Sequence, residues 1–218
     1  MKRLEKKKSD YRRPAIEMER LFIALQLPLE LRRALHKNNS IFIKELRNLR
    51  FIEEDQLHLT LKFLGNGVSI DSRDCIIELL KAISPDMQAP LVKIEGLQFG
   101  FPKQMIPRIL FYNIEANRSM QSLTTLIHEK LMNLELSDIK REKDYKKMVY
   151  HLSIARTKHN SNRAFGRKIR EIIKSQSQPI NLEFIPDCLF LIKSTLYHVS
   201  APRYEIIAKF PLQQPDKI

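Results

Sequence analysis

Two short stretches of the chain set an imidazole and a hydroxyl in the same order, His-Leu-Thr-Leu at 58–61 and His-Leu-Ser-Ile at 151–154. Near neutral pH one imidazole can carry a proton as general acid while another, neutral, acts as general base. Hydroxyls beside them can hydrogen-bond the non-bridging oxygens of a phosphoryl group as charge builds on phosphorus. Cleavage of a phosphodiester is the chemistry such a set suits. A single histidine between leucines is more often a packing residue. The repetition shifts the balance, because among six histidines a chance pair of this kind is expected in well under about 1% of sequences of this composition.

Both stretches read as β-strands. Period-two geometry puts His58 and Thr60 on one face, against Leu57, Leu59 and Leu61 on the other, and separates His151 and Ser153 from Leu152 and Ile154 in the same way. Two such strands side by side would turn four polar groups into one cleft. Lys62 shares the His58 face by parity, as a phosphate contact or as a solvated strand end. Strict alternation from His151 turns Arg156 to the opposite face unless the strand bends, bulges or ends near Ala155.

The surrounding pattern intermixes strands and helices. After a charged, aperiodic segment over 1–18, read as a flexible basic arm, LFIALQLP forms a buried strand, and apolar residues recur at helical spacing over Leu29–Leu49. LHLTLKFLG is a strand ending at Gly65, Asp71–Ser84 a helix stopped before Pro85, and Leu91–Phe99 and Arg108–Ala116 are strands. A helix over Ser119–Leu134, a polar loop, the YHLSIAR strand and a helix over Asn162–Lys174 follow. Ile180–Phe184, Cys188–Thr195 and Tyr204–Phe210 close the chain as strands, with one domain expected over 19–212 and a tail over 213–218.

Composition narrows the function. The 218 residues carry 38 Lys and Arg against 25 Asp and Glu, a formal charge of +13, and such a field favours polyanionic partners. Cys75 and Cys188 stand in no C-x-x-C or metal-ligand spacing, which leaves a disulfide framework or a zinc site without support. Five glycines, none in a G-x-G-x-x-G or Walker pattern, disfavour dinucleotide and nucleoside-triphosphate folds. The apolar run Leu21–Leu27 is too short and too interrupted for a secretory leader or a membrane span, so a cytoplasmic, soluble protein is expected.

RLFIALQLP, LHLTLKFLG, EGLQFGFP, PRILFYNIEA, HLSIAR and PRYEIIAKFPL together resemble the RNA 2′,3′-cyclic phosphodiesterases, also called 2′-5′ RNA ligase-like proteins, within the two-histidine phosphoesterases. The resemblance spans nearly the whole chain after the basic arm. It implies an α+β, bilobal fold: two pseudo-symmetric lobes of antiparallel sheet with helices around a central cleft. It also implies His58 as proton donor to the leaving ribose oxygen, His151 as the base that activates water, and Thr60, Ser153 and Arg156 as phosphate ligands. No metal or other cofactor is implied, and the expected partner is an RNA or oligonucleotide with a cyclic phosphate end, met by a monomer.

The chain departs from the family pattern at Ser153, where threonine is favoured, and at Tyr150, where proline is favoured. Serine keeps the hydroxyl; the Tyr150 ring either stacks on a base at the cleft edge or fills the space left by proline. His36, His128, His159 and His198 lack a hydroxyl partner in register and read as surface or packing residues. The Lys140–Lys147 run is either the lip of an RNA groove or a solvated loop. The motifs specify phosphate chemistry and leave the nucleoside open: 2′-5′ oligonucleotides, small cyclic nucleotides and a non-catalytic nucleotide or RNA-binding role are the alternatives. The limbs of the pH profile are expected around neutrality.

Overall fold

The computed structural model describes residues 17–102, 104–141, 148–158, 162–176, 182–197 and 202–215, without the side chains of 40–45. Nine strands among them form one sheet: β1 (Met18–Gln26), β2 (Leu49–Phe51), β3 (His58–Ser69), β4 (Val92–Phe99), β5 (Ile109–Ile114), β6 (His151–Thr157), β7 (Leu182–Phe184), β8 (Cys188–Thr195) and β9 (Arg203–Pro211). Four α-helices accompany them: α1 (Leu29–Glu45), α2 (Ile70–Ile83), α3 (Arg118–Met132) and α4 (Arg163–Gln176).

The strands run β7-β4-β5-β6-β3-β1-β8-β9, with β2 added to β6, and every neighbouring pair is antiparallel. This order divides into two lobes. β3, β1, β8 and β9 make one and β6, β5, β4 and β7 the other, joined through β3 and β6 at the single paired position Leu59↔Leu152.

The sheet is strongly curled. Tyr204 on β9 and His58 on β3 are separated by β8 and β1, so in a flat sheet the strand spacing alone would hold their backbones roughly 14 Å apart. Their rings meet at 4.8 Å between centroids. The concave face therefore gathers side chains from distant strands, and the convex face carries the main core.

Into that core α2 sends Ile76 and Leu80, α3 Leu123, Ile127 and Leu131, and α4 Ile169 and Ile173, all buried and at helical spacing. The ends of α2 and α3 are set by capping. Ser69 accepts from Ser72 N while Asp138 accepts from Ser69 N and Ser72 Oγ, and Asn117 Oδ1 accepts from Met120 N. Burial opposes ionisation of Asp138, but these hydrogen bonds outweigh it and hold its carboxyl below the usual range.

Two element boundaries differ from the sequence expectation by four residues, and others by three or fewer. α1 stops at Glu45, and Leu49, expected as the end of that helix, opens the strand β2, which pairs with Thr157–Ala155 where β6 outruns β3. β3 does not end at Gly65; it continues to Ser69, paired with Met18 of β1. In both places the partner strand supplies backbone hydrogen bonds that local periodicity cannot anticipate. Backbone pairing extends at the other end to Gln213, which bonds Met87 and Ala89.

Candidate active site

β3 opens on His58 after a short 3-10 turn over Glu54–Gln56, and β6 opens on His151. Leu59 and Leu152 oppose one another and are buried in the core. That antiparallel register sets His58 across from Ser153 and Thr60 across from His151, on the face opposite the leucines. The structure thus brings together on the concave side the four polar groups that the alternation pattern pairs.

The two imidazoles are held alike. His58 Nδ1 lies 2.8 Å from Gln56 O, and His151 Nδ1 lies 2.9 Å from Val149 O. A carbonyl oxygen only accepts, so Nδ1 carries the proton in each ring and Nε2 remains for chemistry. Aromatic rings confine both. Phe22 and Tyr204 stand 4.8 Å from His58, and Phe101 and Phe111 stand 4.9 and 5.4 Å from His151.

Confinement has an electrostatic consequence. Burial pushes His58 down to about 4, helped by the charge of Arg156 and by His151 and opposed by the Gln56 carbonyl. Burial likewise lowers His151, opposed by the Val149 carbonyl and reinforced by Arg156. At neutral pH the unliganded pair is predominantly neutral.

Arg156 reaches the concave face because β6 bulges. Leu110 pairs with Ala155 but Phe111 pairs with Ser153, leaving Ile154 as the extra residue. Ile154 and Ala155 are consecutively buried, and Arg156 emerges exposed on the side of His151 and Ser153. β3 carries the same irregularity: Ile23 pairs with Lys62 but Ala24 with Thr60, so Leu61 is extra. Here the consequence corrects both expectations for Lys62. It is turned inward, 2% exposed, and its Nζ donates to Lys140 O at 2.8 Å. Phe63, at the offset from His58 that Arg156 has from His151, takes the concave face instead and packs against the cluster of Phe22, Ala24, Phe190 and Ile192.

Tyr150 fills space. It is buried, its hydroxyl 3.4 Å from Met120 O on α3, so it does not line the cleft edge. His128 is buried on α3 and His36 half-buried on α1, away from the motif register. His159, His198, residues 1–16 of the basic arm and residues 142–147 of the basic run lie outside the described residues. Among the described residues no three His, Cys, Asp or Glu side chains cluster as metal ligands, and no helix is long and apolar enough to cross a membrane.

Sequence reasoning missed Phe22, Phe101, Phe111, Tyr204 and Arg20 as site residues. A signal existed, since all five lie in the segments RLFIALQLP, EGLQFGFP, PRILFYNIEA and PRYEIIAKFPL that carry the family resemblance. Beside the pair, a cavity of about 390 Å³ is lined by Arg50, Gln56, Arg156, Tyr197, Arg203 and Tyr204 among others. Residues 22–183 match the family model of the AKAP7 2′5′ RNA ligase-like domain.

The chain belongs to this family.

As a 2′5′ RNA ligase-like protein it is 28% identical over 192 residues to the RNA 2′,3′-cyclic phosphodiesterase of Methanocaldococcus jannaschii, covering 88% of this chain and 99% of that relative. Among solved structures it resembles TT0787 of Thermus thermophilus, with a TM-score of 0.69 at 25% identity over 88% of this chain and 97% of that one. E. coli LigT complexed with ATP gives 0.62 at 17% identity over 91% and 100%, a likeness of fold alone. The curled antiparallel sheet with helices outside it is the two-histidine phosphoesterase fold.

Proposed function

We propose that this chain hydrolyses the 2′,3′-cyclic phosphate at an RNA end to a 2′-phosphate, using His58 as general acid and His151 as general base. The carrying observation is that two imidazoles in one tautomer, with Nε2 available, share a concave face with Thr60, Ser153 and Arg156. The relative named as an RNA 2′,3′-cyclic phosphodiesterase supports the substrate class.

In this reading water attacks phosphorus and gives a proton to His151 Nε2. The bond from phosphorus to O3′ breaks, and His58 Nε2 delivers its proton to O3′; the bond to O2′ is retained. Thr60 and Ser153 donate to the non-bridging oxygens, and Arg156 adds a charge-assisted contact. Because burial holds His58 near 4 in the unliganded protein, the anionic substrate itself raises the proton affinity of the pair on binding. The adjoining cavity, with Tyr197, Tyr204 and Arg156 in its wall, offers a nucleoside rings to stack on. We place this activity in a monomeric, cytoplasmic protein whose single phosphoesterase domain, expected over 19–212, also takes in the paired residues Met18 and Gln213.

One observation favours a second reading, with the roles exchanged. His58 is the more depressed imidazole, which suits a base that stays neutral. The first experiment is turnover of an oligonucleotide ending in a 2′,3′-cyclic phosphate, with the position of the product phosphate read by NMR. A 2′-phosphate is expected; no turnover by folded protein overturns the proposal. The roles are then separated with a p-nitrophenyl phosphodiester, whose leaving group needs no proton. His58→Ala should be far less impaired on it than on the cyclic phosphate, and the same rescue in His151→Ala instead establishes the exchanged roles.

A further inference from the structure

Arg20 is a cation on the concave face that the reaction as drawn does not use. Its guanidinium carbon lies 4.4 Å from the Phe63 ring centroid, and Nη1 donates to Asn66 Oδ1. Nε is buried without a hydrogen-bond partner. The neighbouring carboxylate, Glu19, is committed elsewhere, to Arg73 at 3.3 Å and Lys193 at 2.6 Å, and among the described residues no carboxylate pairs with Arg20. A guanidinium with an unmet donor and, among the described residues, no carboxylate beside it is available to an anion. Burial depresses its proton affinity, Tyr204 opposes that effect and Arg156 adds to it.

Its place relative to the imidazoles follows from the two bulges. Phe63 occupies on β3 the offset that Arg156 occupies on β6, so the guanidinium stacked on Phe63 is the first lobe's counterpart of Arg156. The charge of Arg156 is felt by His58, by His151 and by Arg20; all four share one surface. A cyclic phosphate between the imidazoles carries one negative charge and already has Arg156, Thr60 and Ser153. A second guanidinium exceeds what that group needs and matches a substrate with a further phosphate one nucleotide away.

We propose that Arg20 binds the phosphodiester on the 5′ side of the nucleotide bearing the cyclic phosphate, so that the site prefers an RNA end of two or more nucleotides to a nucleoside 2′,3′-cyclic phosphate. The inference rests on the cyclic-phosphate reading for its substrate class. It adds a specificity contact that discriminates polynucleotide ends from mononucleotides.

The test measures binding by the full chain of three unreactive probes: a nucleoside 2′-phosphate, a dinucleotide with the same 2′-phosphate end, and that dinucleotide with a methylphosphonate at its internal linkage. The native protein should bind the charged dinucleotide about 10–100-fold more tightly than either other probe, the range of a charge-assisted hydrogen-bonded contact. This arm needs no variant. Arg20→Met should remove most of the preference and lower the salt slope of dinucleotide binding by about 0.7, and Arg20→Lys should restore part of it. Equal affinity for the diester and the methylphosphonate, or an equal loss on all three probes in Arg20→Met, overturns the proposal, as does binding of none of them. Turnover is scored separately: this binding pattern without hydrolysis sinks the reaction and leaves the subsite standing, whereas hydrolysis without the pattern does the reverse.

Discussion

Leu59 on β3 stands directly opposite Leu152 on β6, the one position at which these two strands pair. Because both leucines face the core, their neighbours His58 and His151 must face the cleft together. Groups coupled this closely should fail together. His58→Ala and His151→Ala should each lower kcat on the cyclic-phosphate oligonucleotide by about 10²–10⁴. The double variant should lose little more than the worse single one, because a lone survivor of an acid–base pair has no partner to act with. Multiplicative losses in correctly folded variants would falsify concerted action.

The pH dependence should be displaced from the neutral range expected from unperturbed histidines. The active form carries one proton on the pair, and its population peaks between the two proton affinities. One is about 4 and the other is lowered from 6.5. The kcat/KM profile, which reports the free protein, should therefore have its maximum below pH 6.5. Bound phosphate stabilises protonated imidazole, so both limbs of the kcat profile should lie at higher pH than those of kcat/KM. Steady-state kinetics from pH 4 to 9 checks both.

Arg156 links charge stabilisation to this profile. It lowers the proton affinity of both histidines, so Arg156→Gln should move the kcat/KM limbs upward in pH. The same change removes a phosphate contact and should cost about 10–100-fold in kcat/KM. A fall in rate without movement of the limbs would separate Arg156 from the imidazoles.

His58 should also make the fold acid-sensitive. The unfolded chain binds a proton at 6.5 and the folded chain only at about 4, so between these values protons favour the unfolded state. Stability is unaffected above pH 6.5 and is lost as pH falls toward 4, by on the order of 1–3 kcal/mol. Urea melts at pH 7 and pH 4.5 should show this loss, and His58→Gln should reduce it.

Chelation should leave turnover intact, since protonated imidazole, two hydroxyls and Arg156 can supply the stabilisation of phosphoryl charge. Activity after extensive treatment with EDTA, compared with the same protein after Mg²⁺ or Zn²⁺ is restored, is the measurement. A strict need for the added ion would sink the mechanism.

Local periodicity was enough to place His58, Thr60, His151 and Ser153 on shared faces, because a strand's alternation is a property of its own backbone. The same rule, applied to Tyr150, points its ring away from the His151 face and into the core, where it lies. The helices α2 and α3 were legible for a similar reason, their apolar spacing being a property of each segment itself. What the sequence could not decide depends on pairings between strands far apart in the chain. The extra residues Leu61 and Ile154 are defined only against β1 and β5, and they turned Lys62 inward and brought Phe63 and Arg156 to the concave face. β2 exists because β6 outruns β3 and needs a partner. Arg20, Phe22 and Tyr204 meet the site only because the sheet curls, and curl is set by the twist accumulated over all its strands, not by any segment alone.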